Sequence, residues 1–296
     1  MMKPVRLLLL MTLALLGACQ TLPPLPAWQS PVGREHADLG VILDLRDGSL
    51  LQPAQLIAEL AAVDQVLIGE RHDNPDHHAL QLWLLHSLAQ RREQGSLLLE
   101  MLVPAQQQRV DAAQAAFAAG RPPADLPGAL GWQGGWDWSL YGPLVTHALA
   151  APYPLLHANL DAAEITAIYR DRPVVTGAPA APVVRQALLD QIRLSHCDML
   201  PEAQLPAMLA VQQQRDQRMA ERLASAPTPS LLLAGAFHVR RDLGVPLHLH
   251  QGQSDQVRVL VLAEVGQQVG AGQADFVWYT PAMPAQDYCA SFRKRR

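Results

Sequence analysis

Short apolar runs that alternate with helical patterns constrain the fold of this chain more than any other feature. The segments between the runs, at 53–63, 75–92 and 161–170, have the apolar spacing of helices. The runs themselves are almost continuously apolar, as strands buried on both faces of a parallel sheet must be; they span 40–45, 65–70, 96–101, 153–159, 230–236 and 257–265. The alternation predicts an α/β fold with a mostly parallel sheet flanked by helices.

Two longer segments do not fit simple strand–helix units. Residues 104–150 combine a Gln/Ala-rich helical stretch, a Pro/Gly-rich break and a cluster of three tryptophans. Residues 178–228 have a helical pattern and are rich in Gln and Arg. We expect these two segments to be helical insertions that build a smaller helical cap domain within one domain of residues 35–290.

The first residues have the pattern of a bacterial export signal. A charged start is followed by an apolar run at 7–16, which is too short to span a bilayer. Leu-Gly-Ala then precedes Cys19 and resembles the lipobox of bacterial lipoproteins. The resemblance implies removal of residues 1–18, acylation of Cys19 and, because Gln20 follows, sorting to the outer membrane. A simple secretory signal with an incidental cysteine is the alternative.

Residues 19–34 then form a Pro-rich tether, which we expect to hold the domain off the membrane. The full chain has 296 residues and a formal net charge of −4. Loss of Lys3 and Arg6 with the signal makes the mature protein more acidic, which argues against nucleic acid as a partner. Nearly all positive charge is arginine, a residue that binds carboxylates through two parallel hydrogen bonds.

Two cysteines remain once Cys19 is assigned to lipid, and an even pair in an oxidising compartment predicts a disulfide between Cys197 and Cys289. The competing interpretation is that a cysteine binds a metal or haem. Neither a CxxC nor a CxxCH motif is present, which favours the disulfide.

Ionisable residues follow three of the predicted strands. Ligands of open α/β sheets bind beyond the carboxyl ends of the strands, where the sequence delivers Glu70, His72, Glu100 and His238. A single histidine at a strand end is usually structural, but two histidines and two glutamates at equivalent ends favour a functional site. His78, at the start of the next helix, is a further candidate for this polar site.

The segment 131–148 holds three of the six tryptophans and ends in a Pro-containing helical pattern. It can be a packed core under the cap, or a flat apolar wall for a large planar ligand. Tyr141 lies at its centre and is our first candidate for a phenolate or hydrogen-bonding role.

Several motifs occur in an order that resembles one family, the ChaN family of haem-binding uptake lipoproteins in the Tiki superfamily. The similarity covers roughly residues 35–285, and its motifs are LIGERHDNPDHHALQL, LLLEM, YGPLVTHA, HANLDA, QQQRDQRMA, LLAGAFHVRRDLGVP and ADFVWYTPA. The resemblance implies haem as the ligand, bound as ferric haem by a tyrosinate in a pocket shared between two monomers. It also implies a homodimer, and it suggests an outer-membrane haem receptor as a further partner.

The resemblance does not decide which tyrosine binds iron. We rank the candidates in the order Tyr141, Tyr169 and Tyr288. The haem propionates need cations, and since lysine is nearly absent the candidates are Arg71, Arg240 and Arg241. Since the groups that hold the propionates must be Arg or His, we also count His238 with the haem-binding residues.

A second class of function stays open. A metal-dependent hydrolase could use Glu70, His72, Glu100 and His238 to hold a divalent ion or to activate water. Neither HExxH nor GxSxG is present, which argues against the common forms of such enzymes. We therefore assign no catalytic residue and expect no metal beyond the haem iron. A structural envelope lipoprotein is the third alternative.

Overall fold

A twisted sheet organises the protein, which a computed structural model describes over residues 22–250, 252, 256–287 and 289–290. The signal of residues 1–18, Cys19 and Tyr288 lie outside the described residues. In the described part of the chain the sheet has eight strands. They are β1 (Ile42–Asp44), β2 (Leu50–Leu51), β3 (Gln65–Glu70), β4 (Ser96–Leu99), β5 (Leu155–His157), β6 (Ser230–Gly235), β7 (Val257–Glu264) and β8 (Phe276–Thr280).

The strand order is β2-β1-β8-β7-β3-β6-β4-β5. The six strands from β8 to β5 in this order are parallel to one another. Strand β1 is antiparallel to both β2 and β8. The predicted fold class, a mostly parallel α/β sheet, is confirmed. Strands β2 and β8 were not expected from the apolar pattern, since β2 has two residues and β8 follows a polar turn.

Helices cover both faces of the sheet. They are α1 (Pro53–Ala61), α2 (Pro75–Ala89), α3 (Gln107–Ala118), α4 (Leu126–Leu130), α5 (Trp138–Ala150), α6 (Ala162–Asp171), α7 (Pro182–Ser195), α8 (Leu205–Ser225) and α9 (Ala236–Val239). On one face, side chains of α1, α2, α3 and α5 pack against Ile68 and Leu233. On the other, Met219 and Leu223 of α8 pack against Leu67 and Leu232, whose side chains alternate with the first pair along each strand.

A small third cluster of apolar side chains lies beside these two layers. It joins α7 to the amino-terminal half of α8 and to Leu243, and its buried members are Val184, Leu188, Ile192, Leu205, Leu209 and Leu243. The segment 178–228 therefore adds a helical part with its own small core. The segment 104–150 instead packs largely onto the main core through α3 and α5.

The start of α2 fixes the loop that follows β3. The side chain of Asn74 accepts a hydrogen bond from the Asp76 N–H, and Pro75 occupies the first helical position. His77 is buried, and its Nδ1 accepts a 2.8 Å hydrogen bond from the Arg71 N–H. Burial lowers the pKa of His77 to about 3, so the ring is neutral and structural.

The Pro-rich segment that was expected to be a free tether is docked on α2. The Trp83 indole donates a 2.9 Å hydrogen bond to the Pro23 carbonyl. The N–H groups of Gln29 and Ser30 donate to the Asp76 carboxylate at 2.6 and 2.8 Å. From residue 22 onward this segment is therefore bound to the domain, because its backbone donors and acceptors find partners there, and it does not act as a spacer.

A disulfide joins Cys197, just after α7, to Cys289 near the C-terminus, with the two Cα atoms 5.8 Å apart. This confirms the predicted pairing. Across the described residues, we find no helix with both the length and the apolar character needed to cross a bilayer.

Candidate functional site

The carboxyl ends of three adjacent strands carry the polar residues that the sequence predicted there. Glu70 ends β3, Glu100 follows β4, and His238 lies on α9 directly after β6. Strand β6 lies between β3 and β4, so the three residues share one edge of the sheet. The expected convergence of Glu70, His72, Glu100 and His238 is therefore seen in the structure.

Glu70 is a buried carboxylate that accepts two hydrogen bonds. Its Oε1 accepts a 2.6 Å hydrogen bond from the phenol of Tyr141 and a 2.8 Å bond from Nδ1 of His72. The Nε2 atom of His78 lies 3.2 Å from its Oε2. His78 thus reaches the polar site, as the sequence suggested. Such a set of donors stabilises a carboxylate that burial alone would penalise.

His72 is the member of this cluster that solvent reaches, with 44% of its side chain exposed. Burial of part of the ring disfavours its cation, but the hydrogen bond to Glu70 and the charge of Glu100 outweigh burial and raise the pKa of His72. Its ring lies across the end of β6, where a Cβ on Gly235 would come within 2.9 Å of Nε2. Only glycine leaves room there for the imidazole.

His238 lies between two buried carboxylates. Its Nε2 is 3.3 Å from Oε1 of Glu100, and its Nδ1 is 2.5 Å from Oδ1 of Asp216 on α8. Although burial opposes the charge, the two carboxylates raise the pKa of His238 to about 10. The charge of His238 in turn offsets burial and holds the pKa of Glu100 well below its usual value. The Gly235 N–H also donates a 2.7 Å hydrogen bond to Oε2 of Glu100.

This geometry argues against His238 as an iron ligand. Both of its ring nitrogens face carboxylates, so a protonated ring offers no lone pair to a metal. His238 does line the neighbouring cavity. Its structural effect is to hold Glu100 and Asp216 together at the strand ends.

Tyr141, the first candidate for a phenolate or hydrogen-bonding role, has the hydrogen-bonding role in the structure. The side chain is 1% exposed, and its hydroxyl is committed to Glu70. Burial and the adjacent Glu70 charge raise the pKa of Tyr141 far above its ordinary value, so the phenolate is disfavoured. In the structure Tyr141 is therefore a hydrogen-bond donor to the buried acid.

The tryptophans of the 131–148 segment form a packed cluster. Trp132, Trp136 and Trp138 are partly buried against the main core. Trp136 meets the His72 ring edge-on with 4.9 Å between ring centroids. None of the three lines the cavity described below, so the structure favours the packed-core interpretation over the flat wall.

A cavity of about 680 Å³ opens beside His72 at the same edge of the sheet. Its volume is within the usual range for small-molecule sites. Residues from β3, α7, α9, β7 and the 267–273 loop line it, among them Arg71, His72, Gln191, Phe237, Arg240 and Val269. Phe237 is 43% exposed, so the wall presents an aromatic ring to the cavity.

Two of the three candidate arginines lie in the cavity wall. Arg240 pairs with Asp242 at 2.6 Å, and its guanidinium lies 5.8 Å from the centroid of the Phe237 ring. Arg71 pairs with Glu264 at 2.5 Å and also with Asp73. Arg241 instead pairs with Asp275 at 2.6 Å and donates to the Val257 carbonyl, away from the lining.

Tyr169 lies in the last turn of α6, where it is partly buried. In the described part of the chain its hydroxyl has no hydrogen-bond partner, and it does not line the cavity of its own chain. The cluster of glutamates and histidines does not form a metal site either: over residues 22–250, 252, 256–287 and 289–290, no group of three or more His, Cys, Asp or Glu is placed to hold an ion.

Sequence reasoning missed Asp216. It lies on the buried stripe of α8 with Met219, Ala220 and Leu223. A carboxylate at an apolar position of an amphipathic helix is costly without a partner, so its placement in that stripe was the available signal.

Comparisons with known proteins agree with this architecture. A family model described as haem-binding uptake, Tiki superfamily, ChaN, matches residues 56–249. Among solved structures, one of cofacial haem binding to ChaN of Campylobacter jejuni has a TM-score of 0.72 and 28% identity, and the match covers 85% of this chain and 98% of that chain.

More distant matches add nothing on function. An open conformation of the erythromycin esterase EreC has a TM-score of 0.45 and 12% identity, over 79% of this chain and 80% of the other. A search of curated proteins finds no match.

Proposed function

This chain belongs to the haem-binding uptake family that includes ChaN, within the Tiki superfamily, and on that basis we propose that it binds haem at the cavity beside His72. The observation that carries the proposal is the match to Campylobacter jejuni ChaN, which extends over nearly that whole protein. The family match also spans every element that forms the Glu70, His72, Glu100 and His238 cluster.

The residues in the cavity wall fit haem. Phe237 and Val269 supply apolar surface for the porphyrin, and the volume of about 680 Å³ suits a ligand of that size. Arg240 and Arg71 supply guanidinium groups, which bind carboxylates such as haem propionates through charge-assisted hydrogen bonds. Haem brings a ferric centre, for which a phenolate is an established axial ligand.

We assign the iron ligand to Tyr169 of a second copy of the chain. Tyr141 is committed to Glu70, and Tyr288 lies outside the described residues. The hydroxyl of Tyr169 has no partner in the described part of its own chain, and no residue of α6 is fully buried, which leaves this helix open to contact with a second copy. A pocket shared by two copies would also place two haems face to face, and Campylobacter jejuni ChaN binds haem cofacially.

The cellular setting of the proposal is the bacterial envelope. Acylation of Cys19 would anchor the mature protein to a bilayer, because buried acyl carbons contribute about 0.8 kcal/mol per CH₂. Gln20, which follows Cys19, favours the outer membrane. There the protein would hold haem and hand it on in iron uptake, with an outer-membrane haem receptor as its partner.

A hemin titration of the mature domain tests haem binding and dimer formation together. We expect a saturable Soret shift at micromolar hemin, a high-spin spectrum with a charge-transfer band, and an increase in mass from monomer to dimer. A linear, unsaturated response to hemin would contradict the proposal. Haem binding without a change in mass would contradict the shared pocket, and therefore also the assignment of Tyr169 as the iron ligand.

A hydrolase is the second candidate, favoured by one observation. The buried Glu70 orients His72, whose partly exposed ring faces the cavity as a general base would. Metal analysis of the purified protein, with ester and peptide substrates, tests this alternative. Stoichiometric zinc or manganese in the wild type but not in His72→Ala, together with turnover, would support it over a purely haem-binding role.

A further inference from the structure

The docking of residues 22–30 on α2 determines where the lipid anchor of the proposed lipoprotein leaves the folded body. The segment runs antiparallel to α2, since Ser30 and Gln29 bind Asp76 in its first turn and Pro23 binds Trp83 two turns further on. Leu22 and Trp28 pack against the apolar cluster that α2 shares with α1 and α5.

From this placement, and from the proposed acylation of Cys19 on which it rests, we infer that the face of the protein formed by the segment 22–30, where it covers α2, lies directly on the bilayer. We call this the anchor face. The partner is a lipid surface, and the covalent anchor, not a binding pocket, holds the protein on it.

The argument begins with chain length. Three peptide steps separate Cys19 from Leu22, and even a fully extended chain covers only about 11 Å in that distance. A folded chain of this size has a radius of gyration of about 19 Å. The anchor is therefore shorter than the body it holds, so the body cannot turn its opposite side to the membrane.

Exposed apolar surface lies on the anchor face. Leu25, three residues from the docked end, has 47% of its surface exposed. Pro23 and Trp28, on either side of Leu25 in the chain, are held on the body, so the backbone that carries Leu25 is held there too. A leucine displayed this close to an acylated residue would enter the headgroup region, where burial of apolar surface is favourable.

The sheet separates this face from α7 and α8. Helix α2 packs on one layer of the sheet through Leu80, Leu84 and Leu88, whereas α8 packs on the other through Met219 and Leu223. Gln191 of α7 is part of the cavity wall. The cavity therefore extends to the side of the sheet that α7 and α8 cover, away from the anchor face.

Fluorescence quenching on vesicles tests the orientation. The acylated full-length product, extracted from bacterial membranes, is labelled at Leu25→Cys or, as the matched control, at Val183→Cys. Val183 lies in the first turn of α7 and is also an exposed apolar residue, at 75%. Each labelled protein is reconstituted into phosphatidylethanolamine/phosphatidylglycerol vesicles that carry a headgroup quencher.

We expect about threefold stronger quenching at Leu25→Cys than at Val183→Cys, because the quencher is confined to a headgroup layer much thinner than the protein. Insertion of ten Gly/Ser residues between Gln20 and Thr21 should reduce the difference, since the body could then rotate. Equal quenching at the two sites on vesicle-bound protein would overturn the orientation while leaving acylation intact. A protein that fails to float with vesicles would overturn acylation, and the orientation with it.

Discussion

The phenol of Tyr141 donates a 2.6 Å hydrogen bond to Oε1 of Glu70, at a point where both side chains are buried. This one contact links α5 to the end of β3. It also argues against Tyr141 as the iron ligand, because a phenolate cannot donate a hydrogen bond to a carboxylate.

Tyr141→Phe should lower the stability of the protein without changing its haem spectrum. Loss of a hydrogen bond to a buried charged group costs about 1.5–3 kcal/mol. Urea unfolding of the two proteins measures that difference, and the hemin charge-transfer band should be the same in both. If the band disappeared in a folded Tyr141→Phe protein, iron ligation would return to Tyr141.

Tyr169→Phe should have the opposite pattern. Its hydroxyl has no hydrogen-bond partner in the part of the chain that the structure describes, so we expect the free energy of unfolding to change by less than about 0.5 kcal/mol. The charge-transfer band of the hemin complex should be lost, since phenylalanine offers no oxygen to iron. An unchanged spectrum would exclude Tyr169 and leave Tyr288 as the next candidate.

Arg240→Gln should weaken hemin binding about tenfold, the equivalent of about 1.4 kcal/mol, because Arg240 lies in the cavity wall and can bind a propionate. Arg241→Gln is the matched control. Its guanidinium pairs with Asp275 outside the cavity, so this change should lower stability and leave hemin affinity unaltered. Equal loss of affinity in both variants would contradict the placement of the propionates.

His238 should make stability depend on pH in the alkaline range. Its pKa is about 10 in the folded protein, against 6.5 for an unperturbed histidine. A raised pKa stabilises the fold fully below pH 6.5, and this contribution is lost as the pH rises through about 10. Unfolding free energies measured across this interval should therefore decline.

The decline should be smaller in His238→Gln, which cannot bind the extra proton. Since that variant leaves Glu100 and Asp216 without their cation, it is expected to be less stable at every pH in the interval. An NMR titration of the wild-type ring gives a second readout that needs no variant. Deprotonation of His238 near pH 7 would contradict the proposed ion cluster.

Reduction of the disulfide should destabilise the protein by about 4.6 kcal/mol in the chain-entropy model, because the bond between Cys197 and Cys289 closes a long loop. Urea unfolding with and without a reducing agent measures the effect. A Cys197→Ser, Cys289→Ser double variant should match the reduced protein and should not respond to the reducing agent.

Much of the fold could be predicted because its central strands are apolar on both faces. That property identified β3, β4, β6 and β7, and the parallel arrangement then placed Glu70, Glu100 and His238 at one edge. Shared strand direction is enough to bring residues together when each one directly follows its strand.

Other parts depended on packing that no local pattern records. Asp216 contacts His238 only because the face of α8 that carries Asp216 packs toward the sheet. The edge strand β2 is too short to leave an apolar signature. Residues 22–30 read as a linker from their prolines, yet Trp83 and Asp76 supply partners for their backbone from elsewhere in the chain.

The glycine at position 235 has a practical consequence for anyone who redesigns this protein. Its missing Cβ is the space in which the His72 ring lies, so the smallest possible addition, a methyl group, would push against an imidazole rather than against a flexible side chain. A combinatorial library aimed at new ligands should therefore vary Phe237 and Val269 freely and keep residue 235 constant.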